Sequence, residues 1–312
     1  MRTLRCDRRE FLAGAGLGAA ALYWSGSLPA ANAREAETLH VAINQWSVGA
    51  MRARDTQRKN LPLDEELAGL AACGINGLEP GLQTPEQASA MATQLAKHGL
   101  EMRSVYTGSE LLEPAAAQRE IERIVALATR AREFGTKIIV TNPNPLPNRQ
   151  GKNDAQLTAQ AANLNQLGEQ LAALGMTLAY HTHDVELEHA AREFHHMMLA
   201  TEPECLSLCL DAHWVYRGAG HSQVALFDIV KLYGSRVATL HLRQSQGNVW
   251  SEAFGDGDID YRALWQAIAP YSAAPLLVLE QGPEQGSPAT MEIAAAHRAS
   301  CRYVRDVFAG NP

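Results

Sequence analysis

The stretch TLAYHTH, Thr177–His183, joins a short apolar run to two histidines. Side chains two positions apart on a β-strand share a face, so this pattern predicts a buried strand that ends with His181 and His183 on the same side. One such strand end is more often a hydrogen-bonded core or rim position than a functional site. Its meaning therefore depends on whether other strands of the chain end in the same way.

The apolar run of this stretch is one of eight along the chain. From residue 40 onward, short apolar runs alternate with longer stretches of helical periodicity. The predicted strands cover residues 40–48, 76–80, 101–108, 137–143, 177–183, 206–214, 237–244 and 275–282. Five glycines that precede a strand are predicted to end helices, namely Gly74, Gly99, Gly135, Gly175 and Gly234.

Eight strands alternating with eight helices predict an α/β fold, a single (β/α)8 barrel. A doubly wound open sheet is the alternative. It is disfavoured because no glycine-rich phosphate-binding turn opens a βα unit. The longest irregular segments, predicted at residues 49–62, 143–153 and 245–258, each follow a strand, which in a barrel places them at the end where active sites lie.

The first 33 residues have a different composition. Arg8 and Arg9 precede a run rich in glycine, alanine and leucine, and the small residues ANA follow at 31–33. This order is typical of a secretory signal, and the paired arginines resemble a twin-arginine export signal. We therefore predict a signal peptide at 1–33, a barrel domain at 34–312 and a periplasmic protein. A membrane anchor is the alternative, but the apolar run is short for a spanning helix, so we expect no stable membrane insertion after signal removal.

Polar side chains also stand at the ends of other predicted strands, and in a barrel these ends converge on one cavity. The residues concerned are Glu79, Asp211, His213, His241, Arg243 and Glu280. Glu280 shares a strand face with aliphatic residues, so its charge needs a partner. Imidazole and carboxylate ligands together suit a divalent ion, with Mn²⁺ as the first expectation and Zn²⁺, Co²⁺, Fe²⁺ or Mg²⁺ as alternatives. The pattern predicts one metal site at this end of the barrel.

Six motifs resemble those of the xylose isomerase-like barrels grouped as sugar phosphate isomerases/epimerases. They are GINGLEP, AYHTHD, CLDAHWVYRGAG, LHLRQS, GDGDIDYRAL and LVLEQ, and the resemblance extends over about residues 40–310. It implies one divalent metal ion held by a glutamate, an aspartate, a histidine and a second glutamate on the last four strands. Carried over by position, the metal ligands are His181, Asp211, His241 and Glu280.

The chain departs from this family pattern at two places. His181 stands where many members have a glutamate, which in the family's epimerases faces the second glutamate across the substrate. Glu280 therefore lacks that partner, and either His183 or Glu79 could be a second base, or one base could suffice. Arg243 and Gln244 also replace the last two residues of the usual HLKD motif. We predict Glu280, His183 and Glu79 as catalytic residues.

The resemblance implies removal of a proton next to a carbonyl, through an enediolate that the metal stabilises as a Lewis acid. We predict a sugar isomerase or epimerase. The alternatives are a lyase or dehydratase acting on a 3-keto-glycoside or related keto-sugar, and a non-catalytic periplasmic sugar-binding protein. An exported protein meets unphosphorylated sugars, and no basic cluster with a glycine-rich loop marks a phosphate pocket. The expected substrate is therefore a free sugar, a keto-sugar or a glycoside.

Four residues are predicted to contact this carbohydrate. Trp46 could stack on a sugar face, with a core aromatic residue as the alternative. Arg217 could bind sugar oxygens, with a salt bridge at the rim as the alternative, and Arg243 and His213 are the other two predicted substrate residues. The formal net charge of −7 and the absence of a basic run beyond the N-terminus argue against nucleic acid as a partner. The sequence does not decide whether the protein forms a homo-oligomer.

Overall fold

The structure, a computed structural model, describes residues 39–55, 60–271 and 274–309. The predicted signal peptide at 1–33 lies outside the described residues. The elements are β1 Val41–Asn44, α1 Gln45–Arg54, α2 Leu63–Ala72, β2 Gly77–Glu79, α3 Pro85–Ala96, β3 Ser104–Ser109, α4 Pro114–Arg132, β4 Ile138–Pro143, α5 Asp154–Ala173, β5 Thr177–Tyr180, α6 Glu188–Ala200, β6 Ser207–Asp211, α7 Ala212–Gly218, α8 Gln223–Tyr233, β7 Val237–Leu242, β8 Ser245–Gln246, β9 Val249–Trp250, α9 Tyr261–Ile268, β10 Leu276–Leu279 and α10 Ile293–Phe308. Over these same ranges, none of the helices combines the length and apolar character that a membrane span requires.

Eight of these strands form a parallel sheet in the order β2-β1-β10-β7-β6-β5-β4-β3. The two outer strands approach each other, because the Leu78 amide donates to the Glu101 carbonyl and the Tyr106 amide to the Pro80 carbonyl, each at 2.9 Å. The sheet is therefore a nearly closed barrel, and the predicted (β/α)8 fold is confirmed. The small antiparallel pair β8-β9 lies within the segment predicted as irregular at 245–258.

Strand residues alternate between two apolar clusters. Leu178 and Leu208 belong to the large cluster that also contains the helices, while Ala179 and Cys209 belong to a small cluster on the opposite face of the sheet. Since side chains alternate along a strand, that opposite face is the barrel interior. A residue two positions beyond Ala179 or Cys209 therefore also faces the interior.

Two predicted strands end earlier than expected because an amide or carboxylate side chain caps a helix. The Asn44 side chain accepts a hydrogen bond from the Trp46 amide at 2.7 Å, and α1 begins there. Asp211 Oδ1 accepts from the His213 and Trp214 amides at 2.9 and 2.8 Å, and α7 begins there. The predicted strand at 206–214 is therefore wrong beyond Asp211, and His213 lies in α7, because the cap turns the chain into a helix. Because Asn44 caps α1, residues 49–54 of the segment predicted as irregular at 49–62 are helical.

Four of the five predicted helix-ending glycines have the expected positive φ, with values of 87°, 66°, 94° and 71° for Gly74, Gly99, Gly135 and Gly175. Gly234 also ends a helix, as the residue after α8, but its φ of −55° is not the expected positive value. A Cβ atom on Gly234 would lie 2.7 Å from the Tyr271 ring. The absence of a side chain at this position therefore serves ring packing and not a left-handed turn.

Candidate metal and substrate site

Four side chains meet at the carboxyl ends of four strands that are neighbours in the sheet. His181 follows β5, Asp211 ends β6, His241 lies in β7 and Glu280 follows β10. One nitrogen or oxygen atom from each lies within 4.8 Å of the others, and all four residues are buried. The structure thus brings together the four residues that the family resemblance implied as ligands, and this cluster could bind a metal ion.

The distances from His181 to the two carboxylates of this cluster fit a shared cation better than hydrogen bonds. His181 Nε2 lies 3.7 Å from Asp211 Oδ2 and 3.6 Å from Glu280 Oε2. Neither His181 ring nitrogen nor Asp211 Oδ2 has a hydrogen-bond partner among the described residues. Buried polar atoms rarely lack a partner, since the desolvation cost is about 1–3 kcal/mol each. Ligands about 2.0–2.2 Å from one ion would stand at such separations, so the donor set fits a divalent metal.

Glu79, predicted as a base, lies behind His241 and is fully buried. Its Oε1 accepts a hydrogen bond from Asn44 at 2.8 Å and lies 2.9 Å from His241 Nε2, while its Oε2 accepts from Ser104 at 2.6 Å. Burial acts to raise the pKa of Glu79, but the charge of His241 and these hydrogen bonds outweigh it, and the pKa is lowered. Glu79 is thus placed to orient the His241 ring.

The other ring nitrogen of His241 faces the other candidate ligands, because His241 Nδ1 lies 2.9 Å from Glu280 Oε2. A metal-ligating histidine commonly donates its second ring N–H to a carboxylate, which sets the tautomer and the ring orientation. Glu79 supplies that carboxylate here. The pairing of residues 79 and 241 joins two strands far apart in sequence, and Asn44 and Ser104, which hold Glu79, were not predicted from the sequence.

A pocket of about 860 Å³ opens beside the cluster. It is lined by Asn44, Gln45, Trp46, Gly49, Ala50, Gly81, Tyr106, His183, Trp214, Arg243, Trp250 and Glu280. Among the predicted site residues, it therefore contains Trp46, His183, Arg243 and Glu280. Its volume lies in the range of about 300–1,000 Å³ that is usual for small-molecule sites.

Arg243 lies between the four candidate ligands and the aromatic residues of the pocket. Its side chain is 1% exposed, its Nη2 lies 3.2 Å from Glu280 Oε2, and its Nε donates to the Glu280 carbonyl at 3.0 Å. Burial acts to raise the pKa of Glu280, but Arg243 and His241 outweigh it and hold the pKa well below its usual value. Glu280 is therefore an anion beside a guanidinium, which suits a metal ligand.

His183 lines the pocket next to His181, a candidate metal ligand. Its ring centroid lies 4.9 Å from that of His181 and 5.3 Å from that of Trp214, and its backbone amide donates to Glu186 Oε2 at 2.7 Å. Burial lowers the pKa of His183 to about 3, and His181 and Arg243 act in the same direction. The imidazole is therefore neutral near pH 7.

The remaining predicted substrate residues lie behind or beside the pocket. His213 is fully buried in α7, with its ring centroid 6.0 Å from that of Trp250, and burial lowers its pKa to about 2. Arg217 donates to both carboxylate oxygens of Glu284, at 2.9 and 2.7 Å. This salt bridge occupies the Arg217 guanidinium, whose carbon stands 4.7 Å from the Trp250 ring.

Two curated proteins resemble the chain over most of its length. A rhizopine catabolism protein, MocC, of Rhizobium meliloti is 25% identical over 262 residues, which cover 73% of this chain and 78% of that protein. An inosose dehydratase of Clostridium botulinum is 24% identical over 262 residues, which cover 74% of this chain and 86% of that protein.

Solved structures share the fold at low identity. A sugar phosphate isomerase/epimerase from Parabacteroides distasonis has a TM-score of 0.69 at 15% identity, covering 89% of this chain and 98% of that one. A xylose isomerase-like barrel protein from Mycobacterium smegmatis, in complex with magnesium, has a TM-score of 0.65 at 14% identity, covering 87% and 97%. The 3-keto-D-glucoside 4-epimerase of E. coli has a TM-score of 0.62 at 14% identity, covering 86% and 99%. Residues 67–306, more than half of the chain, match the family model for xylose isomerase-like TIM barrels, and the chain therefore belongs to that family.

Proposed function

We propose that the protein is a divalent-metal-dependent enzyme that removes a proton from the carbon next to the carbonyl of an unphosphorylated keto-sugar or keto-glycoside. One observation carries this proposal. Four candidate ligand side chains, two of which (His181 and Asp211) have unpartnered buried atoms, stand beside a pocket whose lining includes the imidazole of His183.

His181, Asp211, His241 and Glu280 would hold the ion. A bound divalent ion supplies Lewis-acid stabilisation of the negative charge that develops on the substrate oxygen. Glu79 holds the His241 ring in position from behind. Arg243 keeps Glu280 ionised and in place, through its contacts to the carboxylate and to the carbonyl of the same residue.

His183 accepts the proton in this proposal. It borders the pocket, whereas Glu79 is enclosed by Asn44, Ser104 and His241. Glu280 borders the pocket too, but its Oε2 faces His241 and Arg243 at 2.9 and 3.2 Å. A positioned base contributes roughly 10²–10⁴-fold to such a proton transfer.

A single base, His183, suffices for β-elimination, and this favours β-elimination as the outcome. The base takes the proton, the C–H electron pair forms a carbon–carbon double bond, and the substituent on the next carbon leaves with its bonding electrons and is protonated. The likeness to an inosose dehydratase supports this dehydratase or lyase reading. Isomerisation or epimerisation is the second candidate, because Glu280 also borders the pocket and would be the group that returns the proton.

The test is proton exchange by the purified protein loaded with Mn²⁺. A keto-inositol, a free 3-keto-hexose and a methyl 3-keto-glucoside are incubated in D₂O and followed by NMR. We expect deuterium for hydrogen exchange, or loss of the proton, next to the carbonyl; a new carbon–carbon double bond would indicate elimination and an inverted centre epimerisation. Metal binding without exchange on any substrate would favour the sugar-binding alternative.

The role of His183 is tested with His183→Gln, and His98→Gln on the outer side of the barrel is the matched control. We expect His183→Gln to lower the exchange rate at least about 100-fold while the metal content stays unchanged. His98→Gln should leave both unchanged. Full exchange by the metal-loaded His183→Gln protein would remove His183 from the mechanism.

Export by the twin-arginine route is a further part of the proposal, and the Arg8–Arg9 pair supports it. Replacing both arginines by lysine should retain the protein in the cytoplasm, which cell fractionation measures. Unchanged export of the double-lysine variant would exclude this route.

A further inference from the structure

Three indole rings, those of Trp46, Trp214 and Trp250, lie together at the pocket and are called the tryptophan wall here. The Trp46 and Trp250 ring centroids are 5.9 Å apart, and those of Trp214 and Trp250 are 5.5 Å apart, both in edge-to-face contact. The Arg243 guanidinium lies 5.1, 5.0 and 4.3 Å from the three ring centroids. The wall is therefore in direct contact with the arginine that also touches Glu280.

The rings of this wall are held in place from behind. The Arg217 guanidinium lies 4.7 Å from the Trp250 ring, and Glu284, which pairs with Arg217, accepts a hydrogen bond from the Trp250 amide at 2.9 Å. Trp46 packs against Gly282, where an added Cβ would lie 2.7 Å from the indole. Such an anchored aromatic surface is pre-organised for a ligand, since little side-chain entropy is lost on binding.

Core packing does not account for Trp46. Its side chain is 46% exposed although it lines the pocket, whereas Trp250 is 5% exposed. A large aromatic ring that is both fixed in place and open to a pocket has apolar surface available to a ligand. The pocket volume of about 860 Å³ is near the upper end for small-molecule sites and exceeds the needs of one sugar ring.

We propose that the tryptophan wall is a subsite for a second ring of the substrate, so that the enzyme acts on a glycoside and not on a free monosaccharide. This inference rests on the proposed function, because it places the reacting keto-sugar at the metal cluster and the attached ring on Trp46. The shared chemistry of the second ring is an apolar face, which either an aryl group or another sugar presents. Trp46 is the specificity-determining residue, since it is the exposed ring of the wall.

The proposal is tested with three unreactive ligands that differ only beyond the glycosidic oxygen. Methyl β-D-glucoside, phenyl β-D-glucoside and cellobiose are titrated into the Mn²⁺-loaded protein by calorimetry. We expect phenyl β-D-glucoside, cellobiose or both to bind at least about tenfold more tightly than the methyl glucoside. A preference for only one of the two identifies the second ring as aryl or sugar. Equal affinity for all three ligands would overturn the proposal.

Two variants connect this preference to the wall. Trp46→Ala removes the exposed ring, and Gly282→Ala displaces it while keeping the indole. Each should reduce the affinity ratio to below about threefold. Phe134→Ala is the control, because Phe134 is an aromatic residue of similar exposure, 38%, stacked with Arg130 outside the pocket. An unchanged ratio in both wall variants would also overturn the proposal.

The proton exchange of the wild-type protein separates this inference from the proposed function. Proton exchange on a keto-sugar, together with equal affinities for the three glucoside ligands, would support the proposed function and refute the subsite. A tenfold preference that Trp46→Ala removes, without exchange on any substrate, would establish the subsite and refute the catalytic proposal.

Discussion

Glu79 is a fully buried carboxylate that lies beside a candidate metal ligand, His241. It stands 2.9 Å from His241 Nε2, so its loss would leave that ring nitrogen without its carboxylate. We expect Glu79→Gln to weaken Mn²⁺ binding by about 10–100-fold, the usual effect of removing such a partner. Metal titration by calorimetry measures this, with Glu110→Gln, an exposed position, as the control. Unchanged affinity would show that Glu79 does not act through His241.

His181 sets the character of the candidate ligand set, which contains two imidazoles and two carboxylates. Nitrogen ligands favour Zn²⁺ and Co²⁺ over Mg²⁺, whereas carboxylates suit Mg²⁺. We expect His181→Glu to lower the preference for Zn²⁺ over Mg²⁺ by at least about tenfold. Competition between the two ions at equilibrium measures the ratio. If the ratio did not change, His181 would not be a ligand.

At the scale of elements, close contact between a helix and a neighbouring turn depends on a missing side chain. A Cβ on Gly168 in α5 would lie 2.0 Å from the Cys205 carbonyl oxygen, a backbone atom that cannot rotate away. We expect Gly168→Ala to lower the free energy of unfolding by about 1–3 kcal/mol or more. Urea-induced unfolding measures the change.

The matched control for Gly168 is Gly69 in α2, where an added Cβ would meet nothing within 4 Å. Because alanine favours a helix over glycine, Gly69→Ala should raise the free energy of unfolding by roughly 0.5–1 kcal/mol. Opposite signs for the two substitutions would confirm that the contact, and not helix propensity, decides the effect. Equal signs would contradict the packing of α5 described here.

At the scale of the whole molecule, a bound ion would join four neighbouring strands of the barrel. Any ligand that binds only the folded state stabilises it, by about 2.7 kcal/mol at 100 times its Kd. We therefore expect Mn²⁺ at that concentration to raise the Tm of the chelator-treated protein by roughly 5 °C or more. Asp211→Ala should abolish the increase. A Tm that Mn²⁺ does not change in the wild-type protein would argue against a site in the folded state.

The stability of the whole barrel should also depend on pH through His40, which lies just before β1 and away from the metal cluster. Burial and, to a lesser extent, Arg103 lower its pKa to about 4, although Glu101 at 3.6 Å opposes this. The unfolded chain then binds a proton between about pH 6.5 and pH 4 that the folded chain does not, so stability falls as the pH falls through this window.

Comparing His40→Gln with the wild-type protein tests this dependence. Urea-induced unfolding at pH 7 and pH 5 should show a smaller loss of stability on acidification in the variant. The same loss in both proteins would mean that His40 is not held neutral by the fold.

That these four side chains lie together could be predicted, because a strand has a period of two and a barrel gathers its strand ends; their choice as candidate ligands came from the family resemblance. His181 lies two positions beyond the interior residue Ala179, and Asp211 two beyond Cys209. Roles within the site were harder to predict. The sequence of a strand end does not show whether its carboxylate is enclosed, as Glu79 is, or borders a pocket, as Glu280 does. The enclosure of Glu79 depends on Asn44, Ser104 and His241, which lie on other strands.

By itself, the sequence determined the barrel, because eight apolar runs of strand length alternating with amphipathic helices can bury their apolar faces together in few other ways. It also determined which residues face the interior, through the local alternation of side chains. Only the tertiary structure decided where Asn44 and Asp211 turn strands into helices, which rings form the tryptophan wall, and that Arg217 pairs with Glu284. These features depend on contacts between segments distant along the chain or on competition between a side chain and the backbone, and neither leaves a periodic pattern in the sequence.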